Sequence, residues 1–179
     1  MLAEPRVLWS ESAFLSRPDS LARAELLDGE LVVTPSPGFG HQDTAFRMAR
    51  ALDVWALRVG FPGVVAMAPI DIVFGPDLVL QPDVIVFPRS DVLPVRGEVR
   101  EVPLLCVEVL SPSTRGYDRI TKRTRYAAAG VAELWCMDPE GDVERWHGPG
   151  LAAHEVVAGA LTTPLLPGFA FDVAALRVG

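Results

Sequence analysis

Pro103-Leu104-Leu105-Cys106-Val107-Glu108-Val109-Leu110 is an almost unbroken apolar run. Its length and composition predict a central strand buried on both faces. Ser111-Pro112-Ser113-Thr114 ends the run with residues suited to capping a helix. Arg115 to Ala129 then reads as that helix, stopped by Gly130, and Val131 to Met137 reads as the next strand. A helix that crosses from one central strand to a neighbour suits an α/β fold, with a mixed central sheet and helices on its faces.

Working outward, Val64 to Phe74 reads as a strand, Gly75-Pro76-Asp77 as a turn, and Leu78 to Phe87 as its antiparallel partner. Before them, Ala45, Met48, Ala49, Leu52, Ala56 and Val59 recur at helical spacing over His41 to Val59, and Gly60 stands where a helix C-cap belongs. Asp28-Gly29 is a type I′ turn signal inside a hairpin from Glu25 to Thr34. Residues 9–18 form a short helix in this reading, and Ser90 to Val102 a polar loop. Downstream, Val143 to His147 and Ala153 to Val157 add strands. The fold therefore carries an extra hairpin at its amino end and extra strands at its carboxyl end. With no repeat and no long linker, residues 1–179 are expected to form one domain.

Cys106 and Cys136 both lie in apolar runs and are expected to be buried and reduced, and no Cys/His spacing suggests zinc. The chain opens on no leader-like pattern and holds no apolar run long enough for a membrane span, so the cytoplasm is the expected compartment. A net charge of −7 argues against a broadly nucleic-acid-binding surface. One local basic cluster exists, with Arg115, Arg119, Lys122, Arg123 and Arg125 opposed only by Asp118. It is either a solvated helix face or a grip on phosphates through Arg115, Arg119 and Arg123. Lys122 is the only lysine beside fifteen arginines. A compact ammonium serves where a planar guanidinium does not fit, which is one chemical reason to keep it.

Glu108 is the strongest anomaly, because an unpaired carboxylate inside a central strand costs several kcal/mol. Alternation puts it on the face of Cys106 and Leu110. Asp83 repeats the pattern at the head of Val84-Ile85-Val86-Phe87. Two readings stand: a pair of structural ion pairs with arginine, or two carboxylates sharing one hard cation. Lys122 lies about two turns into the helix after Glu108, roughly 9–10 Å along its axis. It can reach back to that cation, or simply pair with Asp118 one turn away. His41 is either a cap or surface histidine or a general base. Glu25 is either an exposed strand residue or a further ligand.

Gln81-Pro82-Asp83-Val84-Ile85-Val86, Val107-Glu108-Val109-Leu110-Ser111-Pro112-Ser113-Thr114, then Asp118, Lys122, Tyr126, Gly130-Val131, Glu133-Leu134-Trp135 and Asp138-Pro139 together resemble the Uma family of restriction-endonuclease-like proteins. Glu25-Leu26-Leu27-Asp28-Gly29-Glu30, His41 and Leu166-Pro167-Gly168 fit the same resemblance, which runs from Arg23 to Leu176. That family looks like a branch of the PD-(D/E)XK nuclease superfamily. The resemblance implies a restriction-endonuclease-like fold and an Mg²⁺- or Mn²⁺-dependent endonuclease acting on DNA. It makes Asp83 and Glu108 metal ligands and Lys122, His41 and Glu25 further catalytic candidates. Superfamily enzymes commonly work as homodimers. The superfamily lysine two residues after the Glu is Leu110 here, so either Lys122 supplies the ammonium or the site is silent. A silent nuclease-fold module binding nucleic acid or a protein is the rival reading.

Overall fold

The computed structural model describes residues 7–18, 23–111, 116–140 and 142–176. It begins with α1 (Glu11–Leu15), β1 (Arg23–Leu27), β2 (Glu30–Thr34) and α2 (Phe39–Val59). Next come four strands: β3 (Val64–Met67), β4 (Ile72–Gly75), β5 (Leu78–Leu80) and β6 (Val84–Phe87). After β7 (Leu105–Val109) come a π-helical turn (Tyr117–Lys122) and α3 (Arg123–Ala129). The chain ends with β8 (Glu133–Met137), β9 (Val143–His147), β10 (Ala153–Val157), β11 (Ala160–Leu161) and β12 (Phe171–Asp172). No helix among the described residues is long and apolar enough to cross a membrane.

The central sheet runs β10-β9-β8-β7-β6-β3, and only β7 and β8 are parallel, so it is mixed. Every residue of β7 and β8 is buried, as their apolar composition requires. On one face Val84, Val86, Leu105, Val107 and Val109 pack against Ala45, Met48, Leu52 and Trp55 of α2. On the other, Cys106, Leu110, Leu134 and Cys136 meet Tyr126 of α3 and Leu78 and Leu80 of β5. That second face is covered in part by a separate antiparallel sheet, β2-β1-β5-β4. Its hairpin turns at Asp28 and Gly29, both left-handed at φ 50° and 84°, as a type I′ turn demands. Both cysteines are buried free thiols.

Two expectations need correction. The strands read over Val64–Phe74 and Leu78–Phe87 are each two strands, and their halves belong to different sheets. β3 pairs with β6 in the central sheet, while β4 pairs with β5 in the other. Pro69 and Pro82 stand at the two breaks, and proline offers no N–H to continue a ladder. The helix read from Arg115 is a π-helical turn joined to α3, and Arg115 and most of the expected Ser-Pro-Ser-Thr cap lie outside the described residues.

Gly63 enters β3 with no room for a side chain: a Cβ there would lie 1.9 Å from the Phe87 carbonyl oxygen. Gly63→Ala should force β3 away from β6 and destabilise the protein by roughly 1–3 kcal/mol in thermal or urea denaturation. A variant as stable as wild type would show that the β3–β6 edge yields freely.

Candidate functional site

Strands β6 and β7 pair with Val84 opposite Val107 and Ile85 opposite Cys106. Continued one step, that register sets Asp83 across from Glu108, on the face that carries Cys106. Like charges in that position repel, so other groups must hold them there. Asp83 is held from all sides. Its Oδ2 accepts the Val109 amide at 2.8 Å, its Oδ1 accepts Arg23 Nη1 at 2.7 Å, and His41 Nε2 lies 3.3 Å from Oδ2. Arg23 comes from β1 and His41 from the first turn of α2.

Lys122 closes the π-helical turn and points back to β7. Its Nζ lies 3.1 and 3.2 Å from the two Glu108 oxygens, 2.9 Å from Glu25 Oε1 and 3.5 Å from Asp118 Oδ1. The pairing with Asp118 one turn away and the reach to Glu108 therefore coexist. Tyr126 donates its hydroxyl to Glu108 Oε1 at 2.5 Å. Glu25 is not an exposed strand residue: it is 1% exposed, and its Oε1 also accepts the Gln81 amide at 2.8 Å. The second sheet, docking on the first, buries it.

The site gathers four carboxyl groups (Glu25, Asp83, Glu108 and Asp118), each less than 5% exposed, around two permanent cations, Arg23 and Lys122. Burial works against the Lys122 ammonium, but Glu108, Glu25 and Asp118 outweigh it and hold it protonated far above its usual range. Burial also pushes Asp83 up, yet the hydrogen bond from His41 and the charge of Arg23 prevail and hold it at about 2. Glu108 goes the other way. Burial lifts it to about 8 against the pull of Lys122, with Asp118, Asp83 and Glu25 adding to the lift. Since Lys122 and Tyr126 both donate to Glu108, its rise reflects burial amid an excess of negative charge, not a lack of donors.

An all-oxygen donor set of this kind suits a hard divalent cation. The fit is one of chemistry. Lys122 fills the space between Glu25, Glu108 and Asp118, and among the described residues no three His, Cys, Asp or Glu side chains stand ready as a ligand set. The groups border a cavity of about 130 Å³ also lined by His41 and Tyr117. A larger cavity of about 330 Å³ lies along α2 and the C-terminal segment, but its lining carries no carboxylate.

Of the expected site residues, Asp83, Glu108, Lys122, His41 and Glu25 come together. The arginines of the helix do not join them. Arg119 pairs with Glu144; Arg123 stacks 4.3 Å over Trp146 and donates to the Leu151 carbonyl. Arg125 pairs with Asp28, and Arg115 lies outside the described residues. Sequence reading missed Arg23, Tyr117 and Tyr126 as members of the site. Only Arg23 carried a signal, as it shares a strand face with Glu25.

A family model, Uma2, described as "Putative restriction endonuclease", matches residues 12–175. Among solved structures, the crystal structure at 1.96 Å of "a putative nuclease belonging to DUF820" from Anabaena variabilis superposes with a TM-score of 0.78. It is 19% identical, and the match covers 93% of this chain and 96% of that one, which establishes a shared fold. No curated protein matches the sequence.

The charge excess has a pH signature. Glu108 is raised in the fold from 4.5 to about 8, so the stability it contributes is full below about 4.5 and is lost as pH rises through about 8. Asp83 is lowered from 3.8 to about 2, so its contribution is present above 3.8 and is lost as pH falls through about 2. In chelator, the Tm should therefore decline between about pH 5 and 9, and Glu108→Gln should flatten that decline. An equally steep fall in the variant would remove Glu108 as its cause.

Proposed function

The chain belongs to the Uma2 family, and from that premise we propose that it is a divalent-metal-dependent endonuclease hydrolysing DNA phosphodiester bonds. The observation that carries this reading is the charge balance of the site. Four buried carboxyl groups face two permanent cations, and the donors are the hard oxygens that Mg²⁺ or Mn²⁺ prefers.

Asp83 and Glu108 are the proposed metal ligands, from adjacent strands. A cation held there would polarise the scissile phosphate and lower the pKa of an attacking water. Lys122 brings the ammonium that offsets charge growing on the phosphate, with Glu25 and Asp118 keeping it protonated and aimed. Tyr126 fixes the Glu108 carboxyl through Oε1. His41 touches Asp83 through Nε2 while its Nδ1 has no partner among the described residues, which leaves that nitrogen able to take or pass a proton. On this reading Arg115, Arg119 and Arg123 serve DNA phosphates, and Arg119 and Arg123 exchange their internal partners to do so. A homodimer supplies one site per strand.

One observation favours a second reading, a silent module that binds without cutting. Lys122 sits between the carboxylates as a structural counter-ion, and Leu110, buried against Cys106, leaves no second ammonium beside Glu108.

Lys122→Arg separates the two. It keeps the buried positive charge, whereas Lys122→Ala strips it from three carboxylates at a cost of about 3–5 kcal/mol and confuses stability with activity. Wild type should nick plasmid DNA with Mg²⁺ or Mn²⁺ and not in chelator. Lys122→Arg should still gain Tm on adding the cation yet lose most of its turnover, because a planar fork replaces a point charge. The Asp83→Asn, Glu108→Gln double variant should lose the Tm response. Wild type inert with both cations, or a fully active Lys122→Arg, defeats the endonuclease reading.

A further inference from the structure

Polar atoms sealed from solvent are nearly always hydrogen-bonded, because an unmade bond there is costly. Around the carboxylate cavity three are not. The Tyr117 hydroxyl, Arg23 Nε and His41 Nδ1 are inaccessible and have no partner among the described residues. All three side chains line the one cavity that holds Asp83, Glu108 and Lys122.

Tyr117 is the most telling of them. It shares the cavity with Glu25, Glu108 and Asp118, three ready acceptors, and bonds to none, whereas Tyr126 at the same site donates to Glu108. Those carboxylates are taken up by Lys122. Tyr117 also opens the π-helical turn that Lys122 closes, and the lysine Nζ stands 5.7 Å from its ring centre. Its hydroxyl is thus fixed relative to the ammonium without being bonded to it. Arg23 is in the same position. Its Nη1 and Nη2 are committed to Asp83 and the Gln81 carbonyl, and its Nε–H is left over. A ligand that satisfies a hydroxyl and a guanidinium N–H together must be rich in acceptors and negatively charged. A phosphodiester has that chemistry in its two non-bridging oxygens.

We propose that Tyr117 is a substrate-binding residue whose hydroxyl, together with Arg23 Nε–H, takes a non-bridging oxygen of the phosphodiester beside Asp83 and Glu108. The identity of the ligand rests on the endonuclease reading; the contact itself needs no cleavage. Tyr117→Phe removes one oxygen and keeps the ring beside Lys122, so it isolates the contact.

The test uses a fluorescein-labelled single-stranded DNA oligonucleotide and its methylphosphonate counterpart, in which one non-bridging oxygen of each linkage is a methyl group. Binding is followed by fluorescence anisotropy with Ca²⁺ present. Wild type should bind the phosphodiester strand better. Tyr117→Phe should weaken that binding by about tenfold or more, the range for a hydrogen bond to a charged group. It should bind the methylphosphonate strand much as wild type does, and its Tm and Mg²⁺ response should be unchanged. Where cleavage is seen, KM should rise. Binding within about twofold of wild type, equal loss on both probes, or a wild type that binds neither strand overturns the proposal. Tyr117-dependent binding by a wild type that never cuts would uphold it and end the endonuclease reading alone.

Discussion

Lys122 answers carboxylates from three parts of the chain: Glu25 on β1, Glu108 on β7 and Asp118 one turn below it. Removing water from so many acids is tolerable only if the cation among them stays charged and in place. That condition also binds the two sheets together. Glu25 accepts the amide of Gln81 beside the break between β5 and β6, and Asp83 accepts the amide of Val109 at the end of β7. Side chains that define the site thus also fasten backbone to backbone. Stability and site geometry are set by the same contacts.

A second buried polar cluster shows what this arrangement is not. Elsewhere on the central sheet, Glu133 accepts two bonds from Arg145, one from Thr163 and one from Trp135. Burial there pushes the Glu133 carboxyl up, but those donors outweigh it and hold it low. Arg145 also reaches Glu155. Both Glu133 oxygens have donors, and the cluster reads as a staple joining β8, β9 and the C-terminal segment. Glu133 belongs to the same sequence pattern as Glu108, so a buried acid alone does not mark a site. The imbalance at Glu108 does.

Local features were legible in the sequence. The apolar run around Glu108 identified β7, Asp28-Gly29 identified the first hairpin, and helical spacing identified α2. Glu108 and Asp83 stood out because a carboxylate in a buried strand has few explanations. Features that depend on how distant pieces meet were not legible. Alternation continues across Pro69 and Pro82, and nothing local says that the strands beyond them join another sheet. Glu25 was read as exposed because its burial comes from that sheet's docking. The π-helical turn shares its apolar spacing with an ordinary helix closely enough to hide. Tyr117 and Tyr126 looked like ordinary core aromatics, since a hydroxyl leaves no trace in hydropathy.

The order in which the site's members occur along the chain bears on how the protein is made. Glu25, Asp83 and Glu108 all precede Lys122, and synthesis runs from the amino end at about 5–20 residues per second. Both sheets' site strands therefore leave the ribosome before the one ammonium that makes their close approach tolerable. Arg23 can meet Asp83 early, but Glu25 and Glu108 must stay hydrated until the π-helical turn emerges. The seam between the sheets is thus the last part of the molecule to dry, and its closure is timed by a single residue.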